Sequence, residues 1–290
     1  MLKLENVHEA VKGKMRWGII IAAILMVIPF QQLMASVLAS PTVVFITDKN
    51  PTGRLTLLNR GNTSQEISVY FSFGLPISDS LGNVSVEFQD SAVTDPRSCL
   101  GWIKAFPEKV LIAPDESQVV RLMARPPANL PDGEYWARIM VRSQNATSEV
   151  PVAGEPEGIQ TQLNMITEMA LMLKYRTGDL ISDMELQSLT ATDKDSIVEV
   201  MIDLENRGNV SYMGMQEVRL LDADNKEIST KLNKIAVYRH LKKRIDLDIV
   251  DGDYKKPFRV ELNISSEGRN DVMPEDMIPG NKITEAVDVK

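Results

Sequence analysis

Apolar and polar residues alternate along one long stretch of the chain, residues 160–176. Its even positions are mixed, whereas its odd positions are nearly all apolar: Leu163, Met165, Thr167, Met169, Leu171, Leu173 and Tyr175. A period of two predicts a β-strand with one apolar face. The stretch is about twice as long as a usual strand of ~5–6 residues, so part of it should extend beyond its own sheet. The alternative is a helix, because Met, Leu, Glu and Ala also favour helices.

Shorter alternating segments fill the region before this strand, notably residues 66–73 and 135–142. Turn signals separate the segments, at residues 60–62, 113–115 and 131–133, where Gly, Pro, Asn and Asp favour reversal of the chain. Many short strands with frequent turns and no helical pattern predict an antiparallel β-sandwich over residues 40–176. The side chains expected to face inward are Leu55, Leu57, Ile67, Val69, Phe71, Phe73, Tyr135, Ala137, Ile139 and Val141.

A second module follows and shares a motif with the first. Asn59-Arg60-Gly61-Asn62 recurs 147 residues later as Asn206-Arg207-Gly208-Asn209, after a strand in the same phase. This repeat predicts a second, related sandwich over residues 177–266, with equivalent turns at the two motifs. Its expected inward side chains are Val198, Val200, Ile202, Leu204, Phe258, Val260, Leu262 and Ile264. Residues 267–290 are polar and punctuated by Pro and Gly, which predicts a disordered tail.

The N-terminal region carries an export signal. Residues 17–30 form an uninterrupted apolar run behind Lys12, Lys14 and Arg16. A run of this length is too short to span a bilayer and is typical of a signal peptide. We therefore predict a cleavable signal peptide over residues 1–39, with cleavage after Ala39 and no stable membrane span afterwards; a retained membrane anchor is the alternative. Translation from Met1 or from Met15 fits the sequence.

Charge and composition exclude several function classes. The net charge is −8, and no basic cluster follows residue 16, which argues against nucleic acid as a partner. Cys99 is the only cysteine and His240 the only histidine after residue 8, so a Cys/His metal cluster is excluded. The sequence shows no carboxylate pair, no nucleophile with its base and no phosphate loop. We predict a protein that is not an enzyme, with no catalytic residues, metal or cofactor.

Three segments resemble a known family, the periplasmic pilus-assembly (fimbrial) chaperones of the chaperone–usher type, which are PapD-like. Residues 106–122, F-P-E-K-V-L-I-A-P-D-E-S-Q-V-V-R-L, resemble the family signature. Leu130-Pro131-Asp132 followed by Tyr135-Trp136 is similar to a second family strand. The stretch ending Leu173-Lys174-Tyr175-Arg176 is similar to the strand that ends the family's first domain. The resemblance implies an all-β protein of two tandem immunoglobulin-like β-sandwich domains in the periplasm.

The resemblance also implies a mechanism, donor-strand complementation, in which the chaperone lends a strand to a pilin-like or adhesin subunit that lacks one. The client-binding residues it implies are Leu163, Met165, Thr167, Met169, Leu171 and Lys174. An outer-membrane usher is left open as a further partner.

The family anchors the client's C-terminal carboxylate with two basic residues, whereas this chain has Met172 at one position and Pro41-Thr42 at the other. Lys174, on the same face as Met172, is the alternative anchor. The competing functional hypothesis is a structural or adhesive surface protein of two immunoglobulin-like domains with no client. The apolar face at 163–171 favours the chaperone.

Overall fold

The computed structural model describes residues 37–88, 95–146, 165–250 and 252–290. The first part of the chain forms two facing sheets and a separate hairpin. One sheet has the order β1 (Val37–Ser40), β3 (Thr52–Asn59), β9 (Ser117–Ala124) and β7 (Ile103–Phe106), with antiparallel pairing throughout. The other has the order β2 (Val43–Thr47), β11 (Ile166–Thr177), β10 (Gly133–Asn145), β4 (Gln65–Ser72) and β8 (Lys109–Ile112). Only the pair β2–β11 of these five strands is parallel. The hairpin consists of β5 (Pro76–Ser78) and β6 (Val84–Val86), and a 3₁₀ turn covers Leu100–Trp102.

The core between these two sheets contains most of the side chains that the alternation predicts. Leu55, Leu57, Ile139 and Val141 are fully buried there, and Phe71 packs against the cluster from its margin. Phe73 is the exception, because it is buried in a different cluster with Trp136 and Met172. The prediction of a strand rather than a helix over 166–176 is confirmed, whereas residues 160–164 lie outside the described residues.

The second part of the chain forms another pair of antiparallel sheets. One sheet has three strands in the order β12 (Met184–Asp193), β13 (Ile197–Asn206) and β16 (His240–Asp248). The other has four strands in the order β15 (Glu227–Val237), β14 (Tyr212–Leu221), β17 (Arg259–Ser265) and β18 (Ile283–Asp288). A 3₁₀ turn covers Pro274–Asp276. All eight side chains predicted to face inward are buried in the core between the sheets. The prediction of an all-β fold with two tandem β-sandwiches is thereby confirmed.

One predicted boundary was wrong, and a second overlaps an observed strand. Residues 283–288 do not belong to a disordered tail, since they form β18 along the whole length of β17, and Ile283 enters the second core. The Pro- and Gly-rich composition of residues 267–282 led to the prediction of disorder for the whole segment, including the strand that follows. At the other end, Val37–Ala39 is part of β1 and Val37 is buried in the first core, so cleavage after Ala39 would remove most of that strand.

The repeated motif occupies the same corner in each sandwich, between β3 and β4 and between β13 and β14. The Asn59 amide donates to the carbonyls of Thr63 and Ile112, and its Oδ1 accepts the Gly61 N–H. Asn206 makes the equivalent bonds to Val210, Val237 and Gly208. Each asparagine side chain therefore hydrogen-bonds both within its own turn and to a residue at the end of another strand, which confirms the prediction of equivalent turns.

The two sandwiches are joined at several places within the compact unit that runs from Ser36 to Lys290. The β5–β6 hairpin lies against β16, where the Arg244 N–H donates to the Gly82 carbonyl at 3.0 Å and the Lys242 N–H to Ser78 Oγ at 3.0 Å. Arg239 of the second sandwich binds both carboxylate oxygens of Asp95, at 2.7 and 2.8 Å. The hairpin thus covers part of the outer edge of β16.

Candidate functional site

The first half of β11 has a strand on one side only. β10 pairs with β11 from Ile166 to Thr177, but β2 pairs with it only from Met172 to Arg176. Among the described residues, nothing pairs with the other edge of residues 166–171. An open strand edge carries unsatisfied N–H and C=O groups that can pair with another chain.

The hydrogen bonds beyond this stretch show which groups point outward. The Met172 N–H donates to the Thr42 carbonyl at 3.1 Å, and the Arg176 carbonyl accepts the Asp48 N–H at 3.3 Å. Since alternate residues of a strand direct their main-chain groups to the same side, Glu168 and Ala170 present theirs to the open edge. Met169 and Leu171 direct theirs to β10.

The predicted client-binding side chains fall in three places. Met165 is 54% exposed, and Ile166 beside it, which the prediction did not include, is 49% exposed. Thr167 and Met169 are half-buried, and Met169 packs against the first core. Leu163 lies outside the described residues.

For Leu171 and Lys174 the structure corrects the prediction of surface side chains. Leu171 is buried in the first core with Leu173 and Tyr175, because the sandwich closes over β11 at this point. Lys174 is 1% exposed, since the second sandwich covers the other face of β11. Its ammonium donates to Ser211 Oγ and lies 3.2 Å from a Glu134 carboxylate oxygen.

Glu134 is the centre of a buried ionic cluster at the junction of the two sandwiches. Its carboxylate accepts the Arg176 Nε–H at 2.8 Å, the Trp136 indole N–H at 2.6 Å and the Ser211 hydroxyl at 2.6 Å. Arg176 also donates from Nη1 to the Asp276 carbonyl at 2.5 Å. Glu134, Lys174 and Arg176 belong to the first sandwich, and Ser211 and Asp276 to the second part of the chain, so the cluster joins the two.

The charges in this cluster determine its titration. Burial opposes ionisation of Glu134, but the attraction of Lys174 and Arg176 outweighs it and lowers the pKa of the carboxyl from 4.5 to about 2. Burial lowers the pKa of Lys174 from 10.5 to about 8, against the attraction of Glu134. At neutral pH the cluster accordingly holds one anion and two cations.

Sequence reasoning missed Glu134, although it lies beside Tyr135 and Trp136 in a segment that the family resemblance used. The register of β10 and β11 places Glu134 directly opposite Arg176. The opposite charges of Glu134 and Arg176 on neighbouring strands were the available signal. Their burial could not be predicted from the local sequence, because the second sandwich produces it. Met172, the position of the missing basic anchor, packs with Phe73, Trp136 and Tyr238 instead.

Neither a metal site nor a membrane-spanning helix occurs in the described part of the chain. No three His, Cys, Asp or Glu side chains there are grouped so that they could hold a metal ion. No helix of residues 37–88, 95–146, 165–250 or 252–290 has the length and apolar character needed to cross a membrane. Burial raises the pKa of the Cys99 thiol, so the single cysteine is not poised as a nucleophile.

Comparison with known proteins finds no matching family model and no matching curated protein. Solved structures do match. The YadV chaperone is 15% identical with a TM-score of 0.45, covering 88% of this chain and 100% of that one. The Pseudomonas aeruginosa CupB2 chaperone is 12% identical with a TM-score of 0.41, covering 87% and 100%. A chain from the complex of the Salmonella enterica SafA pilin with the SafB chaperone is 13% identical with a TM-score of 0.42, covering 88% and 97%. At such identities, individual binding residues do not carry over from those proteins.

Proposed function

We propose that this protein is a periplasmic chaperone, not an enzyme, that binds an incomplete fimbrial or adhesin subunit through the open edge of β11. The single observation that carries the proposal is that residues 166–171 have β10 on one side and no strand on the other among the described residues. The family resemblance of the three sequence segments supports the same function. The partner is a pilin-like or adhesin subunit that lacks one strand of its own sandwich.

The open edge supplies what such a subunit lacks. The main-chain groups of Glu168 and Ala170 can continue a hydrogen-bonded ladder into the subunit. Met165 and Leu163 would supply apolar side chains to its groove, and each side chain buried there is worth roughly 1.5–3 kcal/mol. Pairing also covers an edge that would otherwise promote aggregation of the subunit.

The ionic cluster supports the edge from one end of the same strand. Lys174 and Arg176 fix the C-terminal half of β11 between the sandwiches, only three residues beyond Leu171. Because Glu134 already compensates Lys174, this lysine is not free to anchor a subunit carboxylate. Main-chain pairing and apolar contacts along 163–170 are then the principal source of affinity.

The test is capture of an exported, strand-deficient subunit encoded beside the gene for this chain, co-expressed and co-purified from the periplasm. The double variant Leu163→Glu with Met165→Glu should abolish capture, because a carboxylate entering an apolar groove is strongly penalised. The matched control is Ile181→Glu with Leu232→Glu, which places the same charges on exposed apolar positions of the second part of the chain. The control should capture the subunit normally.

A backbone variant tests the edge independently. Ala170→Pro removes an N–H that faces the open side, so it should weaken capture and leave the β10–β11 ladder intact. Thermal unfolding of each variant is measured alongside capture. Normal capture by both variants would overturn the donor-strand mechanism, and parallel loss of folding and capture in the Glu variant would assign Leu163 and Met165 to the core.

A further inference from the structure

The outer face of the β1–β3–β9–β7 sheet carries large apolar side chains that nothing described covers. Leu38, Val119 and Met123 are between 36% and 49% exposed, and Phe106 is 77% exposed. They point outward because their strand neighbours Val37, Val120, Leu122 and Ala105 fill the first core. This face lies on the sheet opposite to the one that contains β11, so the proposed chaperone activity does not use it.

The charges on this face are all of one sign. The four strands contain Arg54, Lys104 and Arg121 and no Asp or Glu, although the chain as a whole has a net charge of −8. The register places Arg54 opposite Arg121, and Arg121 opposite Phe106, while Lys104 is opposite Met123. None of the three cations forms an ion pair within the described residues.

Two like charges directly opposite each other on a sheet are unfavourable. Arg54 and Arg121 form such a pair with no acidic residue in their own sheet to compensate them, so an external anion would relieve the repulsion. Phe106 and Met123 are each next to both Arg121 and Lys104 on this face, where they can enter an apolar layer that lies below a negatively charged surface. Cations interleaved with exposed apolar side chains on a flat face are suited to the headgroup region of a bilayer.

We propose that this face binds the surface of a membrane containing anionic phospholipid. Its occupant is a lipid surface, held by Arg54, Arg121 and Lys104 at the headgroups and by Phe106 and Met123 between them. The interaction does not depend on the function proposed for β11.

Co-sedimentation of the full-length protein with vesicles tests the proposal. Vesicles of phosphatidylcholine alone are compared with vesicles that also contain phosphatidylglycerol, at low and at physiological ionic strength. Binding should be tighter with phosphatidylglycerol, and this preference should weaken with salt, since exposed charges are screened beyond about 10 Å at ~0.1 M salt. The variant Arg54→Glu with Arg121→Glu should lower the affinity by more than about tenfold. Phe106→Ser should lower it with the charges unchanged.

The matched control is Arg259→Glu with Lys282→Glu, which changes the net charge equally at exposed positions of the second part of the chain. All variants share the same N-terminal residues, so any contribution of the apolar run at 17–30 is equal among them. The control should bind as the unchanged protein does. Equal loss in both double variants, no preference for phosphatidylglycerol, or tighter binding of a single-stranded oligonucleotide by the same arginines would each overturn the proposal. If charge reversal prevents folding, Arg54→Gln with Arg121→Gln gives the same comparison.

Discussion

Replacement of Glu134 by Gln tests how strongly the ionic cluster stabilises the junction. Gln keeps an oxygen for the Trp136 and Ser211 donors, so the change removes the charge and the acceptor of the Arg176 Nε–H. Two buried cations, Lys174 and Arg176, then lose their anion. Breaking a buried ion pair by removing one partner costs about 3–5 kcal/mol.

The titration of Glu134 gives a second route to the same magnitude. Its pKa falls from 4.5 to about 2 on folding. At about 1.4 kcal/mol per pKa unit, this fall corresponds to about 3 kcal/mol of stability. Because the folded-state pKa is the lower one, this contribution is complete above pH 4.5 and is lost as the pH falls toward 2.

The assay is urea unfolding, followed by tryptophan fluorescence at several pH values. Trp136 lies in the junction and Trp102 packs against the first core, so these two of the three tryptophans report on structure near the cluster. At neutral pH, Glu134→Gln should lower the free energy of unfolding by about 3–5 kcal/mol, and the difference from the unchanged protein should shrink in acid.

A second substitution makes the result specific to charge. Adding Lys174→Met to the Glu134→Gln variant removes one uncompensated cation and should recover part of the lost stability. A loss below about 1 kcal/mol for Glu134→Gln, or a further loss on adding Lys174→Met, would refute the reasoning.

Two further predictions concern the fold. Ending the chain after Lys282 removes β18 and uncovers the edge of β17, so the protein should aggregate and lose its cooperative unfolding transition. Glu285→Gln, which changes an exposed side chain and keeps β18, should leave both intact; light scattering and thermal unfolding measure this. Asn59→Ala and Asn206→Ala should each lower the free energy of unfolding by about 1–3 kcal/mol, because each leaves buried carbonyls without a donor. Exposed Asn62→Ala is the control in urea unfolding, and a large loss at only one of the two asparagines would contradict their equivalence.

Local alternation predicted the two sandwiches well because a half-buried strand must bury every second side chain. Val198 to Leu204 and Phe258 to Ile264 follow this rule without exception. The rule failed where burial comes from another part of the chain. Lys174 lies at a polar, even position of β11, and only the second sandwich reveals it as one of the most buried side chains. Likewise, β18 pairs with β17, and a long irregular segment separates the two strands in sequence. The polar, Pro- and Gly-rich composition of that segment led to the prediction of a disordered tail, although a short apolar pattern follows it.

The open edge of β11 followed from sequence only in part. Its excess length was visible in the alternation at 160–176, and the structure locates the unpaired stretch by showing that the pairing of β2 with β11 begins only at Met172. The register that exposes Glu168 and Ala170 depends on the parallel pairing of β2 with β11. The periodicity along β11 shows which side chains share a face, but it does not show where a neighbouring strand begins or ends along either edge.

The contacts between the two sandwiches determine how much this protein can change shape when it binds a partner. A single connection would let one sandwich swing about the other, but the β5–β6 hairpin, the Asp95–Arg239 pair and the Glu134 cluster hold them at three separate places. Swinging would require all three to break together. In the proposed role the protein is then a rigid template that does not close around its client. The conformational entropy lost in forming the complex is lost by the subunit, whose chain must adjust to an edge already fixed in place.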